Sequence, residues 1–295
     1  MGDLFCCITD PIIDNNYLFL SFIFTILQQS MFFIVAAYFK FDKVTDLAGV
    51  SNFITVSLFT LTIGGKYYVR QILVTVICCI WGIRLSCYLF NRILKIKNDS
   101  RFDSFNRGFT IQYTVFWIVQ AFWIFIVSSP IILLNSQCCY DLPLNYRDII
   151  GTSLWALGFA IESISDYQKY NFRNNPDNDG KFCNKGLWSI SRHPNYFGEI
   201  ILWWGIFITS SNVFIQEMYW TLLSPVTVTI LILFVSGINI LEVSSNNKYG
   251  MLDEYKEYKQ NVSILIPFPQ FLYSKMPIII KKTLFLDFPI YNKST

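Results

Sequence analysis

Seven stretches of this chain stay apolar for about 20 residues, the length a helix needs to cross a hydrocarbon core of about 30 Å. They run from Tyr17 to Tyr38, Leu47 to Gly64, Gln71 to Phe90, Ile111 to Leu134, Asp148 to Ile164, Tyr196 to Phe214 and Met218 to Leu241. In hydrocarbon every backbone N–H and C=O must be satisfied within the segment, so such runs fold as helices. Composition agrees. Hydrophobic residues make up 53% of the 295 and charged residues 15%, against roughly 25% charged in soluble domains; the mean hydropathy is +0.41. The expected fold is an all-α polytopic membrane protein with about seven transmembrane helices. The sixth run, with Glu199 inside it and polar residues after Thr209, leaves a re-entrant segment open as its alternative.

Lysine and arginine near span ends are retained on the cytosolic side. With the N-terminus outside or lumenal, nineteen of the 23 basic residues fall inside and three, Lys66, Arg70 and Arg147, outside. The C-terminus is therefore expected in the cytosol. The net charge of +3 becomes a topology signal, and no basic stripe with interleaved aromatics argues for nucleic acid. The first sixteen residues hold no Lys or Arg, so they lack the basic start of a cleaved signal peptide and the first span is expected to stay as an anchor. Cysteines come as Cys6-Cys7, Cys78-Cys79 and Cys138-Cys139 with Cys87 and Cys183, which is no CxxC metal spacing. They are read as free thiols, or as a bridge from Cys6 or Cys7 to Cys138 or Cys139 on the oxidising side. Sequons at Asn98, Asn261 and Asn292 all fall on the expected inside and should carry no glycan. Three parts follow: residues 1–44 with the first span, a membrane domain over 45–269, and a tail over 270–295 with apolar patches and Lys275, Lys281 and Lys282, expected at the membrane surface.

Ionisable residues within spans are costly, so each marks a function or an end that snorkels to water. Here they gather at one depth. Arg84 lies about two turns before the inner end of the third span, Glu162 and Asp166 at the exit of the fifth, Asn195 and Glu199 at the start of the sixth, and Glu242 at the end of the seventh. Glu162, Asp166, Lys169 and Arg173 are spaced 4, 3 and 4, one stripe of a helix that continues into the cytosolic loop. Short carboxylates cannot snorkel far, so a polar cavity facing the cytosol is expected here.

The most informative stretch is Gly186-Leu187-Trp188-Ser189-Ile190-Ser191-Arg192-His193-Pro194-Asn195-Tyr196-Phe197-Gly198-Glu199. Proline suits the first turn of a helix, so the sixth span should begin at Pro194. Its free N–H groups and positive dipole end, beside Arg192 and His193, form an expected anion site. His193 is the single histidine, and no metal is expected.

That stretch, with Ile200-Ile201-Leu202-Trp203-Trp204-Gly205 after it, resembles the signature of the steroid 5α-reductase-like membrane family, in its branch known as domain of unknown function 1295. Other matching pieces follow in order. They are Trp81-Gly82-Ile83-Arg84-Leu85-Ser86 with Asp99-Ser100-Arg101-Phe102-Asp103, Ile161-Glu162 with Asp166-Tyr167-Gln168-Lys169, Ser236-Gly237-Ile238 with Leu241-Glu242, and Tyr255-Lys256-Glu257-Tyr258-Lys259 leading to Ile266-Pro267. The resemblance implies a seven-helix endoplasmic-reticulum oxidoreductase that takes NADPH from the cytosol and reduces a carbon–carbon double bond in a lipid, steroid or enone from the bilayer. Asn195, Glu162, Asp166 and Arg173 then resemble the cofactor-binding set, as does Glu199. Arg192, His193 and Tyr196 resemble the helix-start motif, and Arg84 and Glu242 complete the cofactor-side candidates. Tyr196 is the candidate proton donor and Glu199 the candidate hold on the nicotinamide amide. Glu242 departs from the steroid reductases, which place an arginine near the end of the last span.

Two other readings stay open. Isoprenylcysteine or phospholipid methyltransferases share an Arg-His-Pro-x-Tyr core that resembles a grip on the carboxylate of S-adenosylmethionine. A non-enzymatic lipid-binding protein could also inherit the fold.

Overall fold

The computed structural model describes residue 14 and residues 16–40, 44–95, 108–137 and 141–292. Cys6, Cys7, Cys138, Cys139 and Asn98, and with them the expected bridge and one sequon, lie outside the described residues. Within them the fold is helical, with no strand and one isolated bridge between Ser191 and Ser263. The helices are α1 (Leu18–Phe39), α2 (Val44–Gly64), α3 (Val69–Lys95), α4 (Ile111–Asn135), α5 (Tyr146–Asn174), α6 (Pro194–Ser210), α7 (Leu223–Ile230), α8 (Ile238–Tyr249), α9 (Asp253–Asn261), α10 (Gln270–Tyr273) and α11 (Ile278–Thr283). Among the described residues five helical segments are long and apolar enough to cross a membrane: Leu18–Phe39, Val44–Gly64, Val69–Asn91, Ile111–Asn135 and Gln216–Tyr249. The fifth and sixth expected spans are outside that set. Charges enter α5 from both ends, at Asp148 and at Glu162 and Asp166. Helix α6 has 17 residues, about 26 Å at 1.5 Å per residue and short of the hydrocarbon thickness.

The chain divides into two compact units, Met1–Gly151 with Ile206–Thr227, and Thr152–Gly205 with Val228–Thr295. In the first, α1, α2 and α4 pack on one another and α3 packs on α2. Side-chain amides join these helices. Gln29 donates to the Ala48 carbonyl and to Asn52 at 3.2 and 3.0 Å, and Asn52 in turn donates to Gln28. Asn135 ties α4 to α2 and α3 through Thr60 and Thr75. Such interhelical bonds average about 0.6 kcal/mol in a bilayer, so they select which helices meet more than they stabilise the unit. The opposite face of α1 exposes Phe19, Ile23, Leu27, Met31 and Ile34, one stripe as lipid requires. At the starts of α3 and α5, Arg70 and Asp148 form a buried two-pronged pair, with Nε to Oδ1 at 2.7 Å and Nη2 to Oδ2 at 2.8 Å.

In the second unit, helices α5 and α6 meet at glycines. A Cβ on Gly198 would lie 2.6 Å from the Gly158 carbonyl oxygen and 2.7 Å from the Glu162 nitrogen, and one on Gly158 would lie 2.5 Å from the Gly198 oxygen. The obstacles are backbone atoms, so a methyl group there forces the helices apart. Gly198→Ala is expected to cost about 1–3 kcal/mol, the range for overpacking, and to lower the apparent unfolding midpoint in detergent, whereas alanine at the open Gly108 should not. The segment before α6 is pinned to the one after α9: Arg192 N–H donates to the Ser263 carbonyl, Phe268 N–H to Ile190, and the Ser191 hydroxyl to Leu265.

The last apolar segment is interrupted where a π-turn, Leu231–Val235, precedes Gly237 and α8. The tail expected at the membrane surface is tied into this unit. Tyr273, Phe285 and Tyr291 are buried, and the Tyr291 hydroxyl donates to the Leu233 carbonyl in the π-turn at 2.9 Å. A backbone group loosened by irregular winding is thereby satisfied, as an apolar setting demands.

Candidate functional site

Pro194 does open α6, which sets Arg192 and His193 immediately before the helix. Both side chains are buried, and both meet Glu242 of α8. His193 Nε2 lies 2.8 Å from Glu242 Oε1 and Arg192 Nε lies 3.4 Å from the same oxygen. Lys259 of α9 reaches the other oxygen at 3.5 Å. Arg192 also donates from Nη1 to the Lys259 carbonyl and pairs through Nη2 with Asp287 at 3.3 Å. Between two cations the Glu242 carboxylate is ionised, so His193 Nε2 donates and Nδ1 bears the lone pair. Nδ1 is buried and has no hydrogen-bond partner among the described residues.

Burial dominates the titration of this cluster. It pushes the His193 imidazole below its ordinary 6.5, overriding the attraction of Glu242. It likewise lowers Lys259 from 10.5 and raises the hydroxyls of Tyr255, to about 12, and of Tyr258. Arg192 goes the other way, because the carboxylates of Glu242 and Asp287 together outweigh its desolvation and raise it.

Of these groups Arg192, His193, Glu242, Tyr255 and Tyr258 line a cleft of about 660 Å³ within the second unit. Its wall carries Lys169, Arg173, Lys181 and Lys248 besides Arg192, five cations against the carboxylates of Asp179 and Glu242. Arg173, Lys181 and Lys248 are exposed at the mouth. Lys169 lies over the Trp188 ring, 4.0 Å from its centroid, and the indole N–H donates to the Ser165 carbonyl. The Tyr258 hydroxyl donates to the Trp188 carbonyl at 2.6 Å.

Three more residues singled out from the sequence, Glu162, Asp166 and Asn195, meet at the contact of α5 and α6, and Tyr196 and Glu199 follow on α6. Asn195 donates to Asp166 at 3.3 Å. Glu162, like Asp166, is buried, and its backbone abuts Gly198. Tyr196 stacks on His193 with ring centroids 5.8 Å apart, and Glu199 is half-buried one turn on. None of Glu162, Asp166, Asn195, Tyr196 and Glu199 lines the cleft, whereas Arg173, Arg192, His193 and Glu242 do. Arg84 belongs to the first unit, where its guanidinium lies 5.7 Å from the Tyr88 ring centroid. The expected anion site at the start of α6 is partly used up, since the Arg192 and His193 amides donate to Ser263 and Ser191. Lys181, Lys248, Lys259 and Asp287 are participants missing from the sequence-based set. Lys259 alone had a local signal, at the end of the Tyr255–Lys259 run.

A family model described as "Protein of unknown function (DUF1295)" matches residues 32–262. The chain is 30% identical to 3-oxo-5-alpha-steroid 4-dehydrogenase 1 of Macaca fascicularis over 122 residues, which cover 41% of this chain and 41% of that protein. It is 29% identical to the Homo sapiens protein of the same name over 122 residues, 41% of this chain and 42% of that one. The match thus spans less than half the length of these curated relatives. No solved structure matches.

Proposed function

This chain belongs to the DUF1295 family, and from that premise we propose that it is a multi-pass membrane reductase that uses NADPH to saturate a carbon–carbon double bond in a lipid, steroid or other enone drawn from the bilayer. The cationic cleft carries this reading. A volume of about 660 Å³ lies within the roughly 300–1,000 Å³ of small-molecule sites. Five cations against two carboxylates suit the phosphates of a dinucleotide better than the sulfonium of S-adenosylmethionine.

The residues present fit the cofactor. Arg173, Lys181 and Lys248 at the mouth take phosphate. His193 Nδ1, buried and without a partner among the described residues, accepts an N–H or O–H from the ligand. Asn195, Asp166, Glu162 and Glu199, which stand outside the lining of the cleft, are the proposed hold on the nicotinamide amide. NADPH, when bound, supplies the hydride. The chain must then orient the acceptor, exclude water and deliver a proton. Tyr196, stacked on His193, is the proposed donor. The curated relatives named above are steroid dehydrogenases by name, which supports an enone-like acceptor. Multi-pass insertion in the endoplasmic reticulum follows from the same reading.

Thermal unfolding of purified protein in detergent tests the proposal. NADPH at 100 times its Kd is expected to stabilise by about 2.7 kcal/mol. Arg173→Ala combined with Lys248→Ala should weaken NADPH by about tenfold or more, the scale of one lost charge-assisted bond. Stabilisation by S-adenosylmethionine and not by NADPH would overturn the proposal in favour of a methyltransferase.

A further inference from the structure

The family match ends at residue 262, yet a residue 25 positions beyond it enters the buried cluster. Asp287 pairs with Arg192 at 3.3 Å and accepts a hydrogen bond from the Tyr273 hydroxyl at 2.9 Å. Its segment is anchored on both sides. Before it, Tyr273 and Phe285 are buried, with ring centroids 5.1 Å apart. After it, Tyr291 reaches the π-turn, and Asn246 of α8 donates to the Tyr291 carbonyl at 3.0 Å.

Arg192 is thus shared between a carboxylate inside the matched region and one outside it. We propose that Asp287 is a positioning residue: it draws Arg192 off Glu242 and leaves the Glu242 carboxylate free to fix the His193 ring in one tautomer, with Nδ1 presented as an acceptor.

The charges argue for it. Glu242 Oε1 receives His193 Nε2 at 2.8 Å while Arg192 Nε stands off at 3.4 Å and has no hydrogen-bond partner among the described residues. Arg192 directs its two terminal nitrogens elsewhere, to the Lys259 carbonyl and to Asp287. Glu242 and Asp287 balance Arg192 and Lys259, so the buried imidazole is neutral in a cluster that is neutral without it. Remove the Asp287 charge and the balance fails by one. The guanidinium then has a single carboxylate within reach, and the fork geometry of arginine favours closing on both Glu242 oxygens. That closure displaces His193 Nε2. Lys169, the other cation acting on the ring, stays with Trp188 in either case.

Presenting Nδ1 to an N–H or O–H rests on the proposed function, whereas the tautomer does not, and the two are read separately. The chain holds one histidine, so nitrogen NMR of protein labelled only in histidine reports His193 alone. The full-length protein is expected to show a neutral ring protonated on Nε2. Asp287→Asn is expected to mix in the Nδ1–H form, Asp287→Glu to restore the parent spectrum, and Tyr273→Phe, which removes only the hydroxyl held by Asp287, to give a smaller shift in the same direction. In titrations of the same samples NADPH should bind Asp287→Asn about tenfold more weakly, the scale of one hydrogen bond, and Asp287→Glu like the parent. An unchanged tautomer in both Asp287→Asn and Tyr273→Phe overturns the assignment. A shifted tautomer with no NADPH binding to any variant upholds it and overturns the cofactor instead.

Discussion

Glu242→Ala is expected to destabilise the protein by about 3–5 kcal/mol, the cost of removing one partner from a buried ion cluster. Glu242 is the only carboxylate shared by His193, Arg192 and Lys259 among the described residues. Without it Arg192 keeps Asp287, and Lys259 keeps the side-chain oxygens of Asn246 and Asn292 at 2.9 and 3.1 Å. His193 Nε2 keeps no hydrogen-bond partner among the described residues. Glu242→Gln retains volume and one acceptor, so its loss should be smaller, about 1–3 kcal/mol. The pH dependence has a defined sign. Burial already holds Lys259 below 10.5, and removing the nearby negative charge lowers it further. The unfolded chain then binds more protons than the folded one in the window below 10.5, so the stability of Glu242→Ala should rise with pH towards that value. Unfolding midpoints in detergent at several pH values check both statements. A Glu242→Ala protein as stable as the parent, or one stabilised by acid, would contradict the charge cluster.

What the sequence made legible divides along physical lines. Helices α1 to α4 fall within a few residues of the apolar runs, because hydrocarbon length and backbone satisfaction are properties of a single segment. Pro194 and the 4-3-4 stripe on α5 were readable for the same reason: one turn of helix is enough to define them. Pairings across the chain were not. Arg192 and Asp287 are 95 residues apart, and nothing in the spacing of either points to the other. The tail read as apolar patches with lysines, although its aspartate and two buried tyrosines attach it to the site. Amides were passed over as well. Gln28, Gln29, Asn52 and Asn135 carry no charge, so a search for ionisable groups misses the network that joins α1, α2 and α4. The broken winding before Gly237 was hidden because a π-turn leaves hydropathy unchanged.

The Arg70–Asp148 pair belongs to that unread class, and its replacement is expected to separate charge from packing. From the sequence Arg70 counts only as one of three basic residues on the outer side, and Asp148 only as the first residue of the fifth apolar run. In the fold they are 2% and 3% exposed, and each makes further hydrogen bonds. Arg70 also donates to the Leu142 and Pro143 carbonyls. Asp148 accepts from the Asn145 backbone at 2.8 Å and from the Asn212 side chain at 2.9 Å. Asp148→Ala leaves a buried guanidinium with two carbonyls and no counter-charge, and about 3–5 kcal/mol should be lost. Arg70→Met alone strands the carboxylate, with a similar loss. The double variant Arg70→Met with Asp148→Leu removes both desolvation costs and returns apolar volume, so it should be more stable than either single variant. What it fails to recover is the acceptor for Asn145 and Asn212, about 1 kcal/mol each. A double-mutant cycle on apparent unfolding midpoints gives the coupling directly. Strict additivity of the two single losses would mean the pair is not coupled, and the account of this end of the first unit would fall. Since neither residue lines the cleft, ligand affinity measured on the surviving folded fraction should move far less than stability does, which sets this pair apart from Glu242.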